Sequence, residues 1–456
     1  MASQAQLDAD TQPSGLTAAL AWLAAHPPQP SAAVNDAVRR ALVDTVGVML
    51  AGRIEPAVGK LAGALAPGAE VSSLATGDWF ATPDAALLDG LAAHVLDYDD
   101  VAQHGHPSVV ILPALLAEAR RRHLGGGALI RAAAVGYATW HELARREHGT
   151  YHLGAWHPTP MLGVVSAAAA LAALAGLDEA RAGATLSLAA SMAAGLIASF
   201  GTEAKPLQAG RAAASAITAL RWAEAGLDGG AAALESPHGL LAAISPAGDV
   251  DRDGPLDQAT LRGAAVVGML SVKRYPVCHA SHRTIDALLA LRAEHRFAPG
   301  KVAAITAAIG PSPIATLRHV HPSDGLEARF SLHHNLAAAL LDGAVGFAQL
   351  DDDRVRADDM QAAYGLTRIV PLTGDCPDQP GMAREDRVVV TLRDGNALDS
   401  GPVRYPRGHA RMPLSDAELD ARFLDCAARG GYPAAEALLA RLHGIADCAD
   451  VAELAA

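Results

Sequence analysis

Apolar residues recur along most of this chain with the spacing of a helix rather than a strand. In SAAVNDAVRRALVDTVGVMLAG, Ser31 to Gly52, the residues Val34, Ala37, Leu42, Val46 and Leu50 fall near one face, and Gly52 stands where a helix would stop. The pattern continues through Leu87–Leu96, Pro107–Arg122, Ala128–Arg146, Thr159–Leu177, Glu179–Ala198 and Pro206–Gly226, with glycine or proline at most junctions. These segments predict an interlocked helical bundle from about Gly15 to Ala265. The most apolar run, Gly163 to Leu177, is too short and too alanine-rich to span a bilayer and reads as a buried helix.

After about Val266 the texture changes. Val302–Gly310, Thr367–Val370 and Arg387–Leu392 are short and mostly β-branched, which predicts strands, and Asp394-Gly395 marks a hairpin turn. Helices are expected between them at His282–His295 and Leu336–Leu341. The fold class is therefore mainly α, with an all-helical domain over 1–265 plus 403–456 and a smaller α+β domain over 266–402. The segment from Pro413, PLSDAELDARFLDCAA, is helical again and is expected to return to the bundle.

Composition agrees with this division. Of 456 residues 51% are apolar and only 4% aromatic, a core material that suits close-packed alanine-rich helices. The net charge of −13 argues against nucleic acid or an acidic membrane as the main partner. The opening MASQAQLDAD has neither a basic nor an apolar leader region, and Cys278, Cys376, Cys426 and Cys448 are scattered without a CxxC pair. Both features predict a cytoplasmic protein with reduced thiols.

Polar residues concentrate in five places: LDYDDVAQHGHPS, GAWHPT, GTEAKPLQAGR, KRYPVCHASH and RFSLHH. In the first, His106 precedes Pro107, which can open the next helix; Asp97 and Asp100 would share a face if Leu96–Val101 were helical, and one could orient a histidine. In the second, His157 precedes Pro158, and Thr159 can cap the helix that follows. In the third, Pro206 is a natural first helical residue, so Lys205 would stand beside free N–H groups, with Arg211 adding charge: an anion site. The fourth places Lys273, Tyr275, Cys278, His279 and His282 at a helix start that Ser281 would cap.

Lysines, histidines and carboxylates without a phosphate loop, GxGxxG or GxSxG suit proton abstraction beside a carboxylate. Two other classes stay open. One is a metal-dependent helical hydrolase that would use Asp97, Asp99, Asp100, His104 and His106 as ligands. The other is a non-catalytic carboxylate-binding protein.

Taken in order, DGLAAHVLDYDD with GHPS, GAWHPTPMLGVVSAAAA, FGTEAKPLQAGRAA, KRYPVCHASHRTIDA, ARFSLHHNLAAALLDG and the late PRG…PLSDAEL resemble the MmgE/PrpD family from about Leu16 to Cys426. The resemblance implies a large helical domain with an α+β lid, usually as a homodimer, an active site in the cleft between the two, and no metal or cofactor. It implies a lyase acting on a small di- or tricarboxylate, most simply a dehydratase of the 2-methylcitrate kind. An epimerase of the iminodisuccinate kind and a decarboxylase of the cis-aconitate kind are the alternatives.

By position the implied site residues are Asp97, His106, His157, Lys205, Lys273 and His282. Gln208, Val101, His104 and His334 depart from the family's usual His, Thr or Ser, loop residue and Tyr. With Arg211 and Tyr275, the residues Gln208, His104 and His334 are expected to contact substrate.

Overall fold

A computed structural model describes residues 13–147, 151–373, 376 and 383–455. The chain is mainly α and forms two compact units, one reaching to Ser271 and resuming at Ser415, the other Val272–Leu414.

In the first unit the Pro158–Ala175 helix is the hub. Its neighbours are the helices Gly126–Arg145, Ala204–Glu224, Ser108–Arg121 and Glu179–Ser191. Small residues allow the close approach: a side chain added at Gly163 would meet Val110, and one at Gly136 would meet Ala170 and Ile111. Among the described residues this is the one helix long and apolar enough to cross a membrane, and 89% of it is buried inside the protein. Gly176, in the left-handed conformation with φ 64°, ends it.

The Ala32–Gly52 helix starts where its sequence says it should, with Ser31 Oγ accepting from Val34 N–H. The late helix Asp416–Arg429 opens on a capping box formed by Ser415 and Glu418 and packs on Ala32–Gly52. There the buried Arg422 pairs with the buried Asp44.

The second unit is built on a four-stranded sheet in the order Thr367–Pro371, Val302–Ile309, Arg387–Leu392, Ala397–Asp399. Val302–Ile309 runs parallel to the first of these and antiparallel to Arg387–Leu392. The hairpin at Asp394-Gly395 forms as expected, with Gly395 at φ 91°. Ile305, Ala307, Ile309, Val388 and Val390 share one core with Ile285 and Leu288 of the His282–His295 helix and with Leu336 and Leu340 of Leu332–Leu341.

Several boundaries differ from the sequence reading, each for a local reason. The expected Leu87–Leu96 helix runs from Thr82 to His94, so Asp97 and Asp100 do not share a helical face. Asp97 instead takes φ 50°. The expected Glu179–Ala198 helix stops at Ser191. Ala204, not Pro206, begins its helix, which places Lys205 within the first turn. Thr159 does not cap, because the helix already begins at Pro158 with His157 as its N-cap residue. Ser281 stands at the N-cap position, but its hydroxyl donates to Cys278 O instead. A two-stranded ribbon, Val71–Ser72 with Trp79–Phe80, is too short to leave a periodic trace in the sequence.

Candidate functional site

The two His-Pro steps come together in the first unit. Thr159 Oγ1 accepts from the His106 backbone N–H at 3.1 Å. Gly105 lies so close to Trp140 that an added Cβ would come within 2.7 Å of the indole. The segment after His94 is held from behind. Val101 exchanges backbone hydrogen bonds with Ser271, and Arg422 donates to Tyr98 O at 2.6 Å while lying 3.9 Å over the Tyr98 ring. On the other side, Trp156 pairs with Leu196, and His157 N–H donates to Gly195 O.

This framework turns neighbouring side chains in different directions. Lys205 Nζ lies 2.5 Å from Asp97 Oδ1, and His106 Nε2 lies 3.9 Å from the same oxygen. Asp99, fully buried, faces two imidazoles: His106 Nδ1 at 2.8 Å and His94 Nδ1 at 3.0 Å. Asp100 turns the opposite way and accepts from Ser108 Oγ at 2.5 Å, and that hydroxyl also meets Tyr137 OH at 2.7 Å. The His94 ring stands edge-on to His106 at 4.6 Å and is stacked towards His157 at 6.0 Å. His157 Nδ1 lies 2.7 Å from Gln208 Oε1, and the Gln208 amide N–H donates to Leu196 O. That second bond orients the amide, so His157 Nδ1 carries the proton. Phe200 packs edge-on to His157 and lies beneath the Lys205 ammonium, 5.4 Å away.

Burial and charge give these groups different proton affinities. Burial alone would raise the Asp99 carboxyl, but His106 and His94 outweigh it and hold Asp99 well below the usual carboxylate range. Burial and then the neighbouring Asp44 push Asp100 well above its ordinary value. Burial brings His94 down to about 4 against the pull of Asp99. Burial, then Lys205 and His94, bring His157 down to about 2. Two adjacent aspartates are thus shifted in opposite directions, and His94 and His157 are neutral rings.

His94, Asp97, Asp99 and His106 each offer an atom within 4.8 Å of the others, a span that suits a metal ion. An ammonium already stands against Asp97, however, and both Asp99 oxygens face imidazole nitrogens. The two carboxylates of the set are committed to Lys205 and to N–H groups.

Of the residues singled out from the sequence, Asp97, His106, His157, Lys205 and Gln208 are brought together. His104 does not join them: it is exposed at a tight turn closed by Ala102 and Gly105, with φ 68°. Arg211 does not support Lys205 either. Six residues on a helix turn the side chain about 120° away, and its Nε lies 3.4 Å from Ser215.

Lys273, Tyr275, His282 and His334 belong to the second unit. Lys273 and His282 are buried, and His282 Nε2 lies 3.2 Å from Val277 O. The Tyr275 hydroxyl donates to Asp286 at 2.6 Å. His334 has both ring nitrogens engaged, with Tyr364 OH at 2.9 Å and Gln349 O at 2.8 Å. The sequence reading missed His94 and Phe200 and gave Asp99 a role only as a metal ligand. The signal for His94 was its place five residues before Asp99, at the end of an apolar helix.

Comparison with known proteins covers both units. The sequence model of the MmgE/PrpD N-terminal domain matches residues 19–253, and that of the MmgE/PrpD C-terminal domain matches 275–442. Human cis-aconitate decarboxylase is 27% identical over 356 residues, 74% of this chain and 71% of the human protein. The mouse cis-aconitate decarboxylase is also 27% identical, over 362 residues, 74% of this chain and 70% of its own. With both of its units matched, the chain belongs to the MmgE/PrpD family.

Proposed function

We propose that the protein is a cofactor-independent lyase that takes a proton from the carbon next to a carboxylate in a small di- or tricarboxylic acid. One observation carries the reading: the Lys205 ammonium beside Asp97, with His106 and His157 within one cluster of rings. A substrate carboxylate competes with Asp97 for Lys205, whose charge offsets the negative charge that develops as the proton leaves. His106 and His157 are proposed to handle the protons. Lys273 and His282 are proposed, on their motif positions alone, to bind carboxylate and handle protons.

In dehydration the C–H bond breaks to the base, the C–O bond breaks, and the hydroxyl leaves as water with a proton from the acid. In decarboxylation the C–C bond to a carboxylate breaks, carbon dioxide leaves, and the electron pair is protonated at carbon. Dehydration of a 2-methylcitrate-like acid is the outcome proposed first. The names of the two relatives bring decarboxylation of cis-aconitate beside it.

The test is a panel of methylcitrate, citrate, cis-aconitate and iminodisuccinate incubated with enzyme in D₂O and followed by NMR. Elimination, loss of carbon dioxide or deuteration next to a carboxylate is expected with at least one acid. Binding without any exchange across the panel would overturn the enzymatic reading. Activity that disappears with a chelator and returns with a divalent ion would replace it with the metal-dependent one.

A further inference from the structure

Asp99 is fully buried within the cluster. Its two oxygens face two imidazoles, each through Nδ1: His106 at 2.8 Å, and His94 at 3.0 and 3.1 Å. An ionised carboxylate only accepts hydrogen bonds, so both Nδ1 atoms carry protons. His106 Nδ1 also faces Asp100 O at 3.0 Å, a second acceptor that demands the same tautomer. A neutral ring with its proton on Nδ1 has a bare lone pair on Nε2. For His106 that nitrogen points towards Asp97, 3.9 Å away, where the substrate carboxylate is proposed to bind. For His94, Nε2 is buried and has no hydrogen-bond partner among the described residues.

We propose that Asp99 is a positioning residue: it fixes His94 and His106 in the Nδ1–H tautomer, so that His106 meets the substrate as a base through Nε2. His157 has the complementary place. Its Nδ1–H is held by a neutral amide, not a carboxylate, and a ring without an anionic partner gains less from taking up a proton. The proton therefore moves from substrate carbon to His106 Nε2, the Asp99 carboxylate steadies the resulting imidazolium, and that imidazolium is the proton source for the second transfer, because the His157 Nδ1 proton is held by Gln208. His94 occupies the second half of the Asp99 carboxylate and keeps it from rotating away from His106. This assignment of roles rests on reading the site as a proton-transfer centre; the tautomers do not.

Two measurements separate those layers. In the ligand-free protein, ¹⁵N–¹H correlation spectra of the imidazoles are recorded, with His94 and His106 identified by signals lost in His94→Gln and His106→Gln. Both are expected as Nδ1–H tautomers in the wild type, and an Nε2–H tautomer at either one overturns the proposal whatever the substrate proves to be. In Asp99→Asn the new amide can accept from one ring but must donate towards the other, so one ring switches to Nε2–H. On whichever acid the panel identifies, kcat is expected to fall about 100-fold or more while KM stays within a few-fold, as when the carboxylate behind a catalytic histidine is made an amide. Unchanged kcat in a folded Asp99→Asn overturns the positioning role and leaves the proton-transfer reading standing. Should that variant not fold, the wild-type spectrum still decides between the tautomers.

Discussion

At the level of single residues, the run Asp97, Tyr98, Asp99, Asp100 shows how little a row of acids says about itself. On paper the three carboxylates are equivalent. In the fold, the left-handed backbone at Asp97 sends one to Lys205, one to two histidines, and one to Ser108. Asp97, His106, His157 and Lys205 were legible because prolines announce where the helices around them start. His94 was not, since a histidine ending an apolar helix looks like ordinary core until the chain folds back and lays Asp99 against it.

The same geometry separates neighbouring substitutions. Asp100 gives up its proton less readily than an ordinary carboxyl because burial and Asp44 oppose its ionisation. Asp100→Asn replaces the acid with an isosteric neutral amide. It is expected to keep kcat within about five-fold and to cost about 1 kcal/mol of stability, the scale of one altered hydrogen bond. Loss of folding, or a fall in kcat as deep as that of Asp99→Asn, would contradict an Asp100 that resists ionisation beside an ionised Asp99. His157→Ala is expected to lower turnover at least about 100-fold with an unchanged unfolding temperature, the usual size of a lost acid–base group. Near-normal turnover in that variant would remove His157 from the chemistry.

Among elements, the decisive contact is the crossing of Thr82–His94 with Ala204–Glu224, the helices that bring His94 and Lys205 to the site. They meet at Gly90 and Gly210. A Cβ at Gly210 would lie 2.1 Å from Leu87 O and 2.9 Å from Leu91 N, and one at Gly90 would lie 2.7 Å from the Gly210 Cα. Backbone atoms cannot yield as a flexible side chain can, so Gly210→Ala must push the helices apart. The expected cost is about 1–3 kcal/mol, as for other overpacked cores, with a raised KM as Lys205 and Gln208 withdraw.

Gly59, in the Pro56–Ala64 helix, is the counterpart, since an added Cβ there meets nothing within 4 Å. Gly59→Ala is expected to stabilise by about 0.5–1 kcal/mol through helix propensity alone. Denaturation midpoints of the two variants check both signs. Both helices were visible in the sequence. Their crossing was not, because a glycine inside a periodic pattern looks the same whether it faces water or another backbone.

At the scale of the whole molecule, the two units share a stock of buried histidines that the fold keeps neutral. Burial brings His94, His334 and His409 to about 4 and His157 to about 2, and it lowers His279 strongly. In the unfolded chain each returns to about 6.5. As pH falls from 7.5 to 5.5 the unfolded state therefore binds protons that the folded state refuses, and stability must fall with pH.

Two buried acids work against this trend, Asp100 and Asp386, and burial with Asp44 raises Asp100 well above its ordinary value. Asp386 is raised by burial to about 7 despite Arg283 nearby, so in the same window the folded state binds a proton there that the unfolded state does not. Five histidines outweigh two aspartates, and each unmatched proton weakens folding by about 1.4 kcal/mol per pH unit. The wild type is expected to unfold at lower urea at pH 5.5 than at pH 7.5. Asp386→Asn, which deletes one opposing proton, should be more stable than the wild type at pH 7.5 and lose stability more steeply towards pH 5.5. A urea midpoint that held or rose on acidification would mean that these histidines accept protons within the folded protein, and the neutral rings around Lys205 would then have to be redrawn as cations.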